Sequence, residues 1–130
     1  MKVFVYFNLH KKCFSVKALE GPQKGLVIRH TRFVWLENVR YKVSEAGRQR
    51  VLRERKKNVH AGVVGTLSQM PTDRGFWLAG WEGCTPLKYN PYKYSTFVTA
   101  DFDQPVQYSD ACYLESTGKA TFITAVGRVE

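Results

Sequence analysis

Apolar and polar residues alternate through several short segments of this chain, and this period of two restricts the fold more than any other feature. In the first segment Val3, Val5 and Phe7 fall on one face, while Phe4 and Tyr6 fall on the other. Because successive side chains of a strand point to opposite faces of a sheet, the alternation predicts a β-strand with one buried face. A second alternating segment at residues 14–18 is predicted to pair with the first as a hairpin.

Further strand-like segments follow, separated by turn residues. They are residues 26–30, residues 32–43 with a turn or bulge at Glu37-Asn38, residues 59–67, the short segment 97–99, and a closing hairpin of residues 111–114 and 120–126 around the turn 116–119. Residues 76–81 fit either a strand or an aromatic-rich loop. The chain is therefore predicted to be rich in β-structure.

The pattern changes at Ser44, where a helix is predicted to begin. Ser44 is a suitable N-cap, and residues 45–57 are strong helix formers apart from Gly47. Asn58 is a residue that can close the helix. Many strands and one helix predict an α+β fold, mainly an antiparallel β-sheet of hairpins with one basic helix at about residues 45–57.

The composition indicates one basic domain. The 130 residues, 44% of them hydrophobic, suit a single domain spanning residues 1–130 with its own core. Lysine and arginine total 20 against 11 aspartate and glutamate, which gives a formal net charge of +9. Such an excess favours contact with nucleic acid, anionic membranes or acidic proteins, without choosing among them.

Membrane insertion and extracellular cross-links are not expected. No stretch of about 18 apolar residues occurs, and the alternation at the N-terminus is unlike a signal peptide. Cys13, Cys84 and Cys112 are widely spaced and form no CxxC pair, which disfavours both a zinc site and a disulfide scaffold. Reduced thiols in a cytoplasm are the expectation.

The predicted helix carries many cations and few apolar residues. Its candidate anion-binding residues are Arg48, Arg50, Arg53, Arg55, Lys56 and Lys57. Spacings of three and four place Arg50, Arg53 and Lys57 on one helical face, where like charges repel unless an anion neutralises them. Guanidinium groups suit phosphate, because they can donate two parallel hydrogen bonds to it. The alternative is a solvated face, paired with acidic residues elsewhere such as Asp101, Asp103 and Asp110.

A second set of candidates alternates rings with charges. The segment from Lys88 to Tyr94 contains Tyr89, Tyr92 and Lys93, and Trp77 and Trp81 precede it. Aromatic rings stack on unpaired bases while lysines follow the phosphates, so Lys88, Tyr89, Tyr92 and Lys93 are candidate nucleic-acid contacts. Alternatively, these tyrosines anchor an ordinary loop beside the proline turn.

The histidines suggest one possible catalytic site. Two histidines beside a cation can cleave a phosphodiester without metal, one imidazole accepting a proton and the other donating one. His10, next to Lys11, and His60, just after the basic run, are the candidate pair. The alternative for each histidine is an ordinary structural role. No metal-binding or nucleotide-binding motif is present, so neither a metal nor a cofactor is predicted.

Three segments together resemble small accessory proteins of tailed bacteriophages: residues 43–61, Asn8 to Lys12, and Tyr89 to Tyr92. The resemblance spans most of the chain and brings no activity and no catalytic residues with it. It implies the cytoplasm of a bacterial host as the working compartment. It also raises a further class of function, the inhibition of a host or defence protein.

The sequence is therefore compatible with three functions. The first is binding of nucleic acid, RNA or DNA, or another phosphate-rich polyanion, through the basic helix and nearby aromatics. The alternative is binding and inhibition of an acidic host or defence protein. The second alternative is a metal-independent ribonuclease that uses His10 and His60. Binding ranks ahead of catalysis, because no residue pattern in the sequence ties the two histidines together.

Overall fold

The alternating segments pair into one antiparallel sheet. The computed structural model describes residues 1–69 and 83–130. Its strands are β1 Lys2–Asn8, β2 Cys13–Ala18, β3 Val27–Thr31, β4 Phe33–Val43, β5 Ala61–Leu67, β6 Cys84–Lys88, β7 Val98–Thr99, β8 Tyr108–Ser116 and β9 Thr121–Val129, and the helix α1 is Glu45–Glu54. The nine strands follow the order β3-β2-β1-β5-β4-β8-β9-β6-β7. The predicted α+β fold, mainly antiparallel with one helix, is confirmed.

The alternation in β1 decides which face of the sheet is buried. Val3 and Val5 are buried, and Val5 pairs with Val16 of β2 on one side and with Val63 of β5 on the other. These valines form one core with Leu114 of β8, although β8 lies four strands from β2 in the sheet. The sheet must therefore curve, so that the same face of both halves encloses the core.

A contact between two turns closes this curve at one end. Ser116 Oγ donates a hydrogen bond to the Lys12 carbonyl over 2.9 Å, joining positions 104 residues apart in the chain. The turn between β1 and β2 therefore lies beside the turn between β8 and β9. Both turns contribute residues to the candidate site.

The predicted bulge in the long strand is confirmed. β4 has 11 residues, and its pairing with β5 shifts register between Glu37 and Arg40. Asn38 lies in this interval with φ 51°, a left-handed conformation that asparagine tolerates well. A bulge of this kind keeps one strand continuous while its direction changes.

The helix begins where it was predicted but ends three residues early. Ser44 Oγ accepts a hydrogen bond from the Gly47 N–H over 3.2 Å, as expected of an N-cap. At the other end Arg55 takes a left-handed conformation, and its N–H binds the Val51 carbonyl over 2.7 Å. The predicted end near residue 57, with Asn58 as the cap, is therefore wrong.

The early end follows from the pairing of the flanking strands. Ala61 of β5 pairs with Val43, the last residue of β4, so the chain must return within six residues to the place where the helix began. A left-handed residue supplies that reversal. As a result Lys56 and Lys57 lie beyond α1, and Lys57 does not share a helical face with Arg50 and Arg53.

Strand β6 was not predicted from the sequence. β6 contains Pro86, which usually argues against a strand, but β6 lies near the edge of the sheet between β9 and β7.

Residues 76–81, with Trp77 and Trp81, lie outside the described residues. Among the described residues, no helix has the length and apolar character needed to cross a membrane.

Candidate nucleic-acid interface

Arg48 connects the helix to the segment of residues 89–94, which we call the tyrosine loop. Its Nε donates to the carbonyls of Pro91 and Tyr94 over 3.0 and 2.8 Å. One terminal nitrogen forms an ion pair with Glu45 over 2.9 Å, and only 16% of the side chain is exposed. Arg48 was predicted to bind anions, but in the structure its guanidinium holds the tyrosine loop against α1. The two sets of candidates are thereby brought together.

Several other predicted cations already have carboxylate partners. Arg50 pairs with Glu54 over 3.1 Å along the helix. Lys88 pairs with Asp103 over 2.6 Å, and this hydrogen bond raises the pKa of Lys88 and lowers the pKa of Asp103. Exposed pairs of this kind stabilise a fold only slightly. Arg53, Lys56 and Lys93 are exposed and form no ion pair within the described parts of the chain.

Two cavities meet just beyond the end of α1, and we call them together the basic groove. One cavity, of about 580 Å³, lies between residues 55–60 and the tyrosine loop. The other, of about 500 Å³, lies between the β1–β2 turn and the β8–β9 turn. Phe7, Leu9 and Lys57 line both cavities, so the two form one continuous depression.

The charges that line the basic groove have one sign. Its cations are Lys12, Arg55, Lys57 and Lys119, and the residues described as lining it include no carboxylate. None of the four forms an ion pair with any residue in the ranges 1–69 and 83–130. Like charges gathered in a concave surface raise the local positive potential and attract anions.

The sequence predicted only half of this charged set. Arg55 and Lys57 belonged to the basic run, but Lys12 and Lys119 were not among the candidates. Each of these two lies in a turn between strands, where a lysine is unremarkable. The only available signal was that Lys12 follows Lys11; their approach to Lys57 depends on the curvature of the sheet.

His60 and Tyr89 form a hydrogen-bonded wall of the groove. His60 Nε2 lies 2.7 Å from the Tyr89 hydroxyl, and Nδ1 lies 2.9 Å from Asn58 Oδ1. Asn58 Nδ2 donates to the Gly47 carbonyl, which leaves Oδ1 to accept. Because Oδ1 can only accept, His60 Nδ1 donates to it, and the Tyr89 hydroxyl is the hydrogen-bond partner of Nε2. Burial raises the pKa of Tyr89 to about 12, so its hydroxyl stays protonated.

The structure does not bring the two candidate catalytic histidines into one cavity. His60 lines the groove, with both ring nitrogens within hydrogen-bond distance of other groups. His10 is exposed in the β1–β2 turn and is not among the residues that line the groove. His30 Nδ1 lies 2.9 Å from the buried Ser15 hydroxyl, a structural contact. Among the described residues, no cluster of three or more histidine, cysteine, aspartate or glutamate side chains could hold a metal.

Comparison with known proteins relates the chain to phages. The family described as "Mycobacterium phage L5 gene 82 protein" matches residues 1–122. The Gene 82 protein of Mycobacterium phage L5 is 42% identical over 125 residues, which cover 91% of this chain and 93% of that relative. No solved structure matches the chain. The predicted resemblance to small phage proteins is confirmed, and all four cations of the groove lie within the matched residues.

Proposed function

The chain belongs to the family of the Mycobacterium phage L5 gene 82 protein, and from this premise we propose that it binds single-stranded nucleic acid through the basic groove, in the cytoplasm of a bacterial host. The observation that carries the proposal is the convergence of four cations, none of them in an ion pair with a described residue, on one depression whose described lining lacks carboxylates. The four come from the β1–β2 turn, from residues 55 and 57 just after α1, and from the β8–β9 turn.

Phosphates are the ligand that best relieves this concentration of charge. Lysine and arginine side chains that neutralise phosphates release condensed counterions, which favours binding at low salt. The groove presents one guanidinium and three ammonium groups along its length. A strand laid in it would meet positive charge at both cavities.

An exposed aromatic ring favours unpaired bases over a duplex. Tyr92 lines the cavity beside Arg55 and is 58% exposed. Its N–H binds Asn90 Oδ1 over 2.9 Å, which holds the turn that displays it. Rings of this kind stack on unpaired bases, and such stacking tolerates any base because every base has an aromatic face. Bases in a duplex are already stacked on one another.

Two other functions use the same surface. An acidic host or defence protein would offer carboxylates to the same cations, and its binding would bury a packed interface. A metal-independent ribonuclease would need a second acid–base group beside His60. We rank the ribonuclease last, because His60 is already bonded to Tyr89 and Asn58 and His10 does not line the groove.

The test compares lysines that differ only in position. Lys57→Gln and Lys119→Gln each remove one charge from the groove. Lys24→Gln removes one charge from the exposed β2–β3 turn, at the opposite end of β2 from Lys12. Affinity for a labelled oligothymidylate is measured across a series of salt concentrations. Each groove variant should bind more weakly and reduce the salt slope by about 0.7, the value for one phosphate contact on a single strand.

The control and the alternatives give different outcomes. Lys24→Gln should change affinity little, and equal losses in all three variants would refute a groove-specific contact. Failure of the unaltered protein to bind the oligothymidylate at any salt concentration would favour the acidic protein partner. Cleavage of an RNA strand in EDTA, lost in His60→Gln, would instead support the ribonuclease.

A further inference from the structure

The face of the sheet opposite the core presents two aromatic rings from one strand. Phe4 and Tyr6 alternate with the buried Val3 and Val5, so their side chains lie on the outer face of β1. Both rings are partly exposed, and their centroids lie 5.9 Å apart with planes inclined by 30°. They form a pair of neighbouring, partly exposed rings on this face of the sheet.

A glycine in the next strand makes room for this pair. A Cβ atom at Gly62 would lie 2.4 Å from Phe4 Cζ and 2.6 Å from Cε2. The Phe4 ring therefore rests directly against the backbone of β5. Glycine inside a strand often marks such a close approach, and here it lets an aromatic ring cover the sheet.

Cations surround the two rings. Lys17 of β2 pairs with Phe4, and Lys42 of β4 pairs with Gly62. Lys2, Arg40 and Lys42 line a shallow cavity of about 460 Å³ on this face, with no carboxylate among its described lining residues. The Arg40 guanidinium lies 5.1 Å from the Tyr108 ring centroid and donates to its hydroxyl over 3.1 Å.

Two described carboxylates at the margin of this face already have hydrogen-bond donors. Glu37 Oε1 accepts from the Ser68 hydroxyl over 3.1 Å, and Glu20 Oε1 accepts from the Lys2 N–H over 2.9 Å. Within the described parts of the chain, neither forms an ion pair with Lys17, Arg40 or Lys42. The face thus combines partly exposed rings with cations that form no ion pair with any described residue.

We propose that the outer face of β1, β5 and β4 is a second contact surface for single-stranded nucleic acid. Unpaired bases stack on Phe4 and Tyr6, while Lys17, Arg40 and Lys42 contact the phosphates. Aromatic rings on an open sheet, flanked by cations, are a common means of holding unpaired bases. This inference rests on the proposed function, because the second surface would bind the same ligand. It involves none of the residues of the basic groove.

The test separates stacking from charge by removing the bases. Binding of an oligothymidylate is compared with binding of an abasic strand of equal length, which keeps the phosphates. Phe4→Leu/Tyr6→Leu should weaken binding of the oligothymidylate by about tenfold or more and leave the abasic strand unaffected. Phe102→Leu, at a ring that is 76% exposed in the loop after β7, is the control and should change neither.

A second variant leaves the rings and the core intact. Lys17→Gln/Lys42→Gln should weaken both strands equally and reduce the salt slope. If the leucine variant keeps its circular dichroism and its full preference for bases, the proposal is wrong. If the leucine variant fails to fold, an unchanged slope in the glutamine variant refutes it.

The same assay distinguishes this inference from the groove. Loss of binding in Lys57→Gln with no effect of either outer-face variant would leave the proposed function standing and refute the second surface. If instead the outer-face variants bind more weakly and Lys57→Gln binds normally, the strand lies on the outer face and the groove proposal is refuted. Failure of the unaltered protein to bind either strand would refute both.

Discussion

At the scale of single residues, Gly47 shows how packing overrides helix propensity. Glycine in a helix interior costs about 1 kcal/mol relative to alanine. A Cβ at Gly47, however, would lie 2.5 Å from His60 Cβ and 3.5 Å from Ser44 Oγ. The missing side chain lets the first turn of α1 lie against the residue that lines the groove. In the sequence this glycine is visible only as an exception among helix formers.

We predict that Gly47→Ala destabilises the protein although it favours the helix. Overpacking against His60 should cost about 1–3 kcal/mol, more than the gain in helix propensity. The free energy of unfolding is measured by urea denaturation. Ala46→Gly, at an exposed neighbouring position, is the control and should cost only about 1 kcal/mol from propensity. A more stable Gly47→Ala protein would show that the close contact is not retained in solution.

At the scale of elements, one arginine decides how the helix and the tyrosine loop are arranged. The two carbonyls that Arg48 binds belong to Pro91 and Tyr94, more than 40 residues further along the chain. Each carbonyl would otherwise need another donor in a partly buried position. The side chain that sequence reasoning assigned to phosphate therefore shapes the groove without forming its charged lining.

We predict that Arg48→Lys weakens this arrangement. A lysine has a single ammonium group and cannot reproduce the fork that reaches two carbonyls and Glu45 together. The loss should be about 1–3 kcal/mol in the free energy of unfolding, measured by chemical denaturation. Arg50→Lys is the matched control, since its exposed pair with Glu54 should contribute no more than about 0.5 kcal/mol. Equal effects of the two changes would contradict the structural role of Arg48.

At the scale of the whole molecule, several weak acids are buried in the protonated form. Burial raises the pKa of the Cys112 thiol to about 12 and also raises the pKa of Tyr41. Desolvation likewise raises the pKa of Tyr89 to about 12. The ordinary values are 9.0 for cysteine and 10.0 for tyrosine. The folded protein therefore holds these protons more tightly than the unfolded chain does.

We predict that stability falls in alkaline solution. Because the folded pKa values exceed the unfolded ones, this contribution is fully present below about pH 9 and is lost as the pH rises from about 9 to 12. Urea denaturation at a series of pH values measures the fall. Cys112→Ala, which removes one of the three groups, should reduce the slope above pH 9. A stability that stays constant or rises up to pH 11 would contradict the prediction.

The sequence alone determined the features that depend on neighbouring residues. Alternation predicted β1 and its buried face through Val3 and Val5, and Ser44 marked the start of α1. Both signals come from contacts within a few residues, so they are readable in one dimension. The excess of positive charge is likewise a property of composition and needs no fold.

Only the tertiary structure decided where the charges lie relative to one another. The end of α1 at Glu54 followed from the pairing of Val43 with Ala61, and the approach of Lys12 to Lys119 followed from the curvature of the sheet. Arg48 is partly buried because it donates hydrogen bonds to carbonyls more than 40 residues away in the sequence. Such long-range contacts depend on strand order and packing, which no local pattern of residue types specifies.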